Sequence, residues 1–320
     1  MIIVTGAAGF IGSCTVSKLN RKGIDDIIAV DVLRENDKWM NLRHLSFNDY
    51  IDRSQLMDFL KDAKNIEAII HIGACSATTE RDTSYLMENN YRYTLRLAKY
   101  AIKNNVRFIY ASSAATYGAG EKGYDDNESK LQDLKPLNMY GYSKHLFDLK
   151  ARREGWLSKM AGLKFFNVFG PNEYQKGDMA SVVYKSFNQI NETGKVKLFK
   201  SHRNDYEDGQ QLRDFVYVKD VLDVIWFLLK SSNTNGLFNV GSGKARSFKD
   251  LVSATFKAMD KEENIEYIDM PIAIRDRYQY FTEANMSKLK DAGFNKSATN
   301  LEDGITDYVQ NYLMRDYSCY

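Results

Sequence analysis

The sequence predicts an α/β fold: a doubly wound parallel sheet with a smaller, mostly C-terminal α/β lobe. Three observations predict it. Short β-branched runs alternate with helical stretches through the first half of the chain, which is the rhythm of strand–helix–strand units. The first run passes straight into a glycine-rich turn, Thr5-Gly6-Ala7-Ala8-Gly9-Phe10-Ile11-Gly12. Beyond about residue 170 the rhythm becomes irregular, as expected where a second lobe begins. The expected division is residues 1–167, with 214–240 returning to them, against 168–213 and 241–320.

Ile2–Val4 reads as the first buried strand, and a helical pattern follows the glycine turn to about Gly23. This is the start of a Rossmann-type dinucleotide-binding unit. Gly6 permits the tight turn, Gly9 lets the backbone approach a pyrophosphate, and Gly12 lets helix and strand pack closely. The helix N-terminus then offers unpaired N–H groups to the phosphates. Phe10 and Ile11 belong to the same turn. The second strand, Ile27-Ile28-Ala29-Val30-Asp31, ends on an acid suited to an adenosine ribose. Asp31 and Val32 are therefore placed on the cofactor. Asp31 alone favours NAD, whereas Lys38 and Arg53 can neutralise a 2′-phosphate. For both cations a solvated surface position is an equal reading.

Ala68–His71 is another strand, and Ile72, Gly73, Ala74, Cys75 and Ser76 form the turn at its ligand edge. His71 reads as a hydrogen-bonded structural histidine. A helical pattern covers about Tyr85 to Lys103 with Asn89 and Asn90 inside it. Asparagine is a poor helix former, so Asn89 is assigned a polar role at the cofactor. Phe108–Ala111 is the next strand and ends in Ser112-Ser113. Leu163 to Pro171 is a further strand and its exit, with Val168 expected near the cofactor. Candidate strands Arg213–Val218 and Phe238–Val240 follow in the second half.

The stretch Tyr140-Gly141-Tyr142-Ser143-Lys144 is where chemistry is expected. Tyr140 and Lys144, four apart, share one helical face. A phenol is a weak acid with a pKa of about 10, and a neighbouring ammonium is expected to lower it. The bland alternative is an amphipathic helix with a snorkelling lysine. Ser113, at a strand end, is placed to share a substrate proton with Tyr140.

Composition narrows the class. The chain has 320 residues and a formal net charge of +2, with no long run of one sign. That argues against a nucleic-acid partner. Cys14, Cys75 and Cys319 are far apart and lack metal-ligand spacing, so reduced thiols in a cytoplasmic protein are expected, with no metal. Met1 leads directly into a strand-like run, which argues against a signal peptide. The strongest late apolar run, Val224–Leu229, is too short to span a bilayer.

Taken together, Gly6, Gly9, Gly12, Asp31, Ser113 and Tyr140-x-x-x-Lys144 resemble the extended short-chain dehydrogenase/reductase family. The likeness continues through Arg213-Asp-Phe-Val-Tyr-Val218 and Phe238-Asn-Val-Gly-Ser-Gly243 and covers nearly the whole chain. That family acts mostly on nucleotide-diphosphate sugars. A narrower likeness, to its NADP-dependent epimerases of an ADP-linked heptose, is carried by five stretches. These are Gly73–Ser76, Ala111–Gly118, Leu137–Lys144, Lys176–Ser181 and Arg277–Phe281. The resemblance implies inversion at carbon 6 for the inner core of lipopolysaccharide, and a homopentamer. It makes Tyr140 and Lys176 the paired acid/base groups, with Lys144 and Ser113 supporting and Lys176 also reaching the cofactor. It places Ser113, Asn167, Asp178, Lys185, Arg213, Tyr278 and the loop Phe199-Lys200-Ser201-His202 on the ADP-sugar.

The chain departs from that pattern in detail. Lys185 stands where histidine is usual, and Arg53 replaces a lysine. Lys200 and His202 alter the Phe199 loop, and an insertion-like stretch at about 205–211 precedes Arg213. Inverting an unactivated carbinol needs a borrowed hydride and two differently placed proton-transfer groups. Sugar-nucleotide dehydratases carry Asp-Glu after the strand-end hydroxyl residue, and Ala114-Ala115 there argues against elimination. An NAD-dependent 4-epimerase of a UDP-hexose remains an alternative that would not call for Lys176. A non-catalytic cofactor-sensing protein would be expected to lack the tyrosine or lysine that are both present.

Overall fold

Every residue of the first strand, Ile2–Thr5, is β-branched and buried. Such residues fit a pleated surface covered on both faces. In the computed structural model, which describes residues 1–275 and 278–320, this strand lies at the centre of the larger sheet. Arg277 of the resembling stretch falls outside the described residues.

The strands in chain order are β1 (Ile2–Thr5), β2 (Ile27–Asp31), β3 (Asp49–Asp52), β4 (Ala68–His71), β5 (Arg107–Ser113) and β6 (Ala161–Phe165). There follow β7 (Asn167–Phe169), β8 (Val196–Phe199), β9 (Leu212–Tyr217), β10 (Gly236–Val240), β11 (Ala245–Ser247) and β12 (Ile265–Ile268). The main helices are α1 (Phe10–Asn20), α2 (Leu56–Asp62), α3 (Thr83–Leu86), α4 (Tyr93–Asn104), α5 (Met139–Arg153), α6 (Val182–Thr193), α7 (Val218–Lys230) and α8 (Phe248–Ala258).

Seven strands form one parallel sheet in the order β10-β6-β5-β4-β1-β2-β3. The order reverses beside β1, so β1 and β4 flank a crevice at their carboxyl ends. Alternate residues feed two cores. Ile2 and Val4 pack with Val16 of α1 and Val224 and Leu228 of α7. Ile3 packs with Leu60 of α2, Leu97 of α4 and Phe147 of α5. Each fully buried aliphatic side chain contributes roughly 1.5–3 kcal/mol, so both faces are well supported and the strands read as continuous apolar runs. This is the doubly wound fold expected.

The second lobe contains a three-stranded sheet, β11-β9-β7, and a parallel pair, β12-β8. Its core joins Phe169, Val183, Phe187, Phe215, Leu251, Ile305 and Tyr308. The placement of 214–240 needs a correction. β9, expected to return to the large sheet, pairs with β7 and β11 instead. The return is made by α7 and β10, because α7 covers the face that α1 half fills. The long helix expected from Tyr85 to Lys103 is also interrupted: a π-helical turn, Met87–Arg92, joins α3 to α4. Among the described residues, no helix is long and apolar enough to cross a membrane, and no cluster of His, Cys, Asp or Glu has a metal-binding arrangement. The three cysteines are free.

Candidate active site

The crevice begins at the glycine turn. Gly6 adopts φ +69°, and a Cβ there would stand 2.6 Å from the Gly73 Cα. The β1 and β4 turns thus meet backbone to backbone. A Cβ on Gly12 would stand 1.9 Å from the Gly6 carbonyl oxygen, so α1 closes directly onto the turn. The N-cap of α1 is Gly9, with no side-chain cap and no acid in the first turn. Unsatisfied N–H groups with a favourable dipole suit a diphosphate, and a carboxylate cap would exclude one. Gly6, Gly9, Phe10, Ile11 and Gly12 line a cleft of about 410 Å³. Further lining comes from Asp31, Lys38, Ile72, Gly73, Ala74, Ser76, Ser113, Tyr140, Lys144, Val168 and Lys176. Among the described residues, the cradle fits a dinucleotide.

An adjoining cavity of about 250 Å³ is lined by Val32, Arg34, Asn36, Arg53, Cys75, Asn89 and Tyr93, and shares Gly6, Asp31, Lys38, Gly73 and Ala74 with the cleft. Every residue expected around the cofactor therefore lies on one of the two cavities. Asp31 is already engaged. Its Oδ2 accepts from the Ala8 N–H at 2.8 Å, and its Oδ1 from the Val32 N–H at 2.7 Å and the Lys38 ammonium at 3.0 Å. Lys38 is thus an ion-pair partner rather than a freely solvated cation. The Arg53 guanidinium lies 5.5 Å over the Tyr93 ring.

Helix α5 starts at Asn138, whose side chain accepts from the Gly141 N–H at 2.8 Å. A Cβ on Gly141 would stand 2.7 Å from the Ala115 carbonyl oxygen, so the helix sits hard against the end of β5. This brings Tyr140, Lys144 and Ser113 onto one wall of the cleft. The Lys144 ammonium donates to the Ala111 carbonyl at 2.8 Å. Burial pushes it down to about 8, opposed by the Asp148 carboxylate. The expectation that Lys144 lowers the Tyr140 phenol is corrected. Burial raises Tyr140 above its ordinary value, and a hydrogen bond with Ser113 is what opposes the rise. Desolvation of the buried phenolate is the largest influence, and Lys144 one turn away is not among those that counter it.

Lys176 lies in the segment between β7 and α6. Its ammonium stands 5.0 Å over the Phe10 ring. Burial lowers its pKa, Glu173 opposes that, and Lys185 adds to it. The segment is anchored twice. Glu173, fully buried, accepts from the Ser181 hydroxyl at 2.6 Å and N–H at 2.7 Å, and from the Gly170 N–H at 3.3 Å. Asn172, at φ +73°, donates to the Ser13 hydroxyl at 2.9 Å, and its carbonyl accepts from Asn41 at 3.2 Å.

The residues expected on the sugar nucleotide divide. Arg213, buried at the start of β9, lies 5.2 Å over the Tyr278 ring, and Tyr278 meets Phe199 edge-on at 6.4 Å. The His202 N–H donates to the Tyr280 hydroxyl at 2.9 Å. Arg213, Tyr278 and Phe199 thus form one aromatic and cationic cluster, which only the His202 backbone joins, through Tyr280 packed on Tyr278. The Ser201 N–H instead donates to the Asp208 carboxylate within its own loop at 2.7 Å, and Lys200 pairs with Asp269 at 3.4 Å. Lys185 donates to the Asp178 carbonyl at 2.7 Å, and the Asp178 side chain is exposed. Asn167 is exposed on β7 and does not line the cleft, although Val168 beside it does.

His71 is bonded at both ring nitrogens, to Thr5 at 2.6 Å and Thr94 at 2.8 Å, and burial takes it down to about 3. It is neutral and structural, as read. Sequence reasoning missed Asn90, which accepts from the Cys75 N–H at 2.9 Å, donates to the Cys75 carbonyl at 3.0 Å and reaches the Ser143 hydroxyl at 3.1 Å. It also missed Arg34, Asn36, Glu173 and Asn172. Paired asparagines, poor helix formers inside a helical pattern, were the available signal for Asn90.

The chain matches the model of the NAD dependent epimerase/dehydratase family over residues 2–241. An ADP-L-glycero-D-manno-heptose-6-epimerase of Nitratidesulfovibrio vulgaris is 55% identical over 316 residues, 98% of each chain. A protein of the same name from Fusobacterium nucleatum is 52% identical over 330 residues, 99% of each. Among solved structures, the Helicobacter pylori ADP-L-glycero-D-manno-heptose-6-epimerase superposes with a TM-score of 0.83 at 28% identity, covering 97% of this chain and 95% of that one.

Proposed function

This chain belongs to the NAD dependent epimerase/dehydratase family, and from that premise we propose that it is an epimerase inverting carbon 6 of the heptose in ADP-glycero-manno-heptose. The observation that carries the reading is the occurrence of Lys176 in the same cleft as Tyr140. An epimerase needs two proton-transfer groups, and a hexose 4-epimerase built on Ser113, Tyr140 and Lys144 has no use for that lysine.

The protonation of the pair supports the reading. Tyr140 is displaced upward and Lys176 downward, so the phenol keeps its proton while the amine gives its own up more readily. Titratable groups pushed apart in this way mark an acid and a base. Lys176 then accepts the C6 hydroxyl proton of one epimer, and Tyr140 protonates the oxygen on the new configuration after the 6-keto sugar has presented its other face. The reverse reaction exchanges the roles. Ser113 holds the hydroxyl beside the phenol, and Lys144 supplies fixed positive charge. A nicotinamide, when bound at the glycine cradle, supplies the hydride acceptor and donor. Arg213, stacked on Tyr278, is proposed to pair with the diphosphate of the sugar nucleotide.

NADP is the proposed cofactor. Asp31 is occupied by two backbone N–H groups and Lys38, which leaves it less repulsive toward a 2′-phosphate, and Arg34 and Arg53 border the same cavity. The 168–213 and 241–320 segments are proposed as the sugar-nucleotide lobe, a homo-oligomer as the working assembly, the cytoplasm as its setting, and lipopolysaccharide inner-core heptose supply as the role.

The experiment is NMR of ADP-heptose epimers with parent and Lys176→Met enzyme, together with identification of the cofactor released on denaturation. The expected result is NADP from both proteins and a loss of turnover of about 10²–10⁴-fold in the variant, the range for an acid/base group. Full turnover in Lys176→Met rejects the two-base reading. Turnover of UDP-galactose with none of ADP-heptose replaces it with the hexose 4-epimerase.

A further inference from the structure

Beneath the cleft, on the side of α5 away from solvent, lies a charged pair that the proposed reaction does not use. Lys164 of β6 and Asp148 of α5 are both fully buried and stand 3.0 Å apart. The Asp148 Oδ1 accepts from the Tyr110 hydroxyl at 2.9 Å, and its Oδ2 accepts from the Ser112 hydroxyl at 2.7 Å as well as from Lys164. Lys164 donates in addition to the Thr116 hydroxyl at 2.7 Å and lies 4.9 Å over the Tyr117 ring. Its position is set by the sheet, where Lys164 is the register partner of Ser112.

Such a pair is weak evidence for stability. Desolvating two charges costs several kcal/mol per ion, and well-packed apolar residues serve a core as well or better. Its place explains it better. Tyr140, Lys144 and Asp148 follow one another at intervals of four on α5 and share a face. Strand β5 answers them in step: Tyr110 and Ser112 bind Asp148, the Ala111 carbonyl binds Lys144, and Ser113 meets Tyr140. The carboxylate is therefore held at one end of a rigid zipper whose other end is the proposed acid.

We propose that Asp148 is a positioning residue for the reaction: its carboxylate, fixed by Lys164, Tyr110 and Ser112 one helical turn from Lys144, keeps that lysine an ammonium in a site dry enough to discharge it. The inference goes deeper into the site proposed above and rests on Lys144 acting as a fixed charge. The groups that face Lys144 are few. On α5 they are Tyr140, Asp148 and, further round, His145, which burial holds below its ordinary pKa. Strand β4 contributes His71, neutral through burial, and its turn contributes Cys75; β6 contributes Lys164 beyond the carboxylate, and Lys176 lines the cleft. Burial is the main influence lowering Lys144, and Asp148 is the foremost one opposing it.

The test compares parent, Asp148→Asn and Asp148→Asn/Lys164→Met proteins. The double variant removes both charges, so it covers the case in which the single variant, left with an unpaired buried lysine, fails to fold. Two quantities are read across pH: kcat for epimerisation, and the titration of Lys144 by NMR of isotope-labelled lysine side chains, assigned by its absence in Lys144→Met. The expected result in Asp148→Asn is an alkaline limb and a Lys144 titration that both move to lower pH by about one unit, a tenfold change in the proton equilibrium, with a smaller shift in the same direction in the double variant, where the more distant Lys164 charge is gone too. Activity at the acid end of the range is then largely kept. A folded variant whose Lys144 titrates where the parent's does overturns the proposal, whatever its turnover. If the Lys144 titration shifts while Lys176→Met proves fully active, the positioning role stands and the two-base reading fails, so the two failures are distinguishable.

Discussion

Lys144 shows how a residue proposed to act in the site is buried at the expense of stability. Its folded pKa, about 8, lies below its ordinary 10.5. The unfolded chain therefore binds more protons between those values, and stability attributable to this group rises with pH through that window. At neutral pH the buried ammonium is a cost, bounded by about 3.5 kcal/mol from the size of the shift. It is offset by the hydrogen bond to Ala111, worth about 1 kcal/mol. Lys144→Met is expected to melt no lower than the parent at pH 7 while losing activity by two orders of magnitude or more, and calorimetry beside turnover checks both. The Tyr140–Lys144 spacing was legible because it is local: four residues on a helix place two side chains together in any fold. The upward displacement of the phenol was not legible, since it depends on how completely α5 is pressed onto β5.

At the scale of elements, turns govern the site. The β1 turn and α1 work as one piece because Gly12 packs against the Gly6 carbonyl with no room for a Cβ. The obstacle is backbone, which cannot swing aside as a side chain does. Gly12→Ala is expected to displace α1 from the turn, cost about 1–3 kcal/mol as overpacking does, and weaken cofactor binding at least tenfold; a thermal melt and cofactor titration measure these. The sequence announced this element through its three glycines. It was less explicit about the π-turn at Met87–Arg92. There the chain inserts a residue into a helix and turns Asn90 onto the Cys75 backbone and Ser143. The two asparagines marked the place, and only the neighbouring turn and α5 decided which of them would act as the staple. The segment that carries Lys176 is a similar case. Its anchor Asn172 to Ser13 joins residues brought together where the two lobes meet, while Glu173 to Ser181 closes the segment on itself.

Across the whole molecule, β9 ties the lobes together. Val216 packs in the core of the large sheet, and Phe215 and Tyr217 pack in that of the second lobe. Asp223 of α7 adds a polar tie, pairing with Lys18 of α1 and with Lys296. Its pKa is lowered from 3.8: burial opposes the shift, and the two lysines together outweigh it. Stability from this group is present above 3.8 and is lost as pH falls through the lower folded value. Glu173 and Asp214, raised by burial, act in the opposite sense and gain on protonation above that range. Asp223→Asn is therefore expected to lower the melting temperature at pH 7 and to flatten its decline below about pH 4. An unchanged acid limb in melting curves from pH 7 to 3 would remove Asp223 from the account.

The sequence by itself determined the doubly wound sheet, the cofactor cradle and the Tyr140–Lys144 pair. Each is written in short-range periodicity, in glycines that sterics make obligatory, or in a spacing one helical turn long. Tertiary structure alone decided that β9 would leave the large sheet, that the Ala8 N–H would engage Asp31, and that Lys176 would share a cleft with Tyr140. Those outcomes depend on contacts between segments far apart in the chain and on how much water their packing excludes, and neither quantity is encoded in any local stretch of residues.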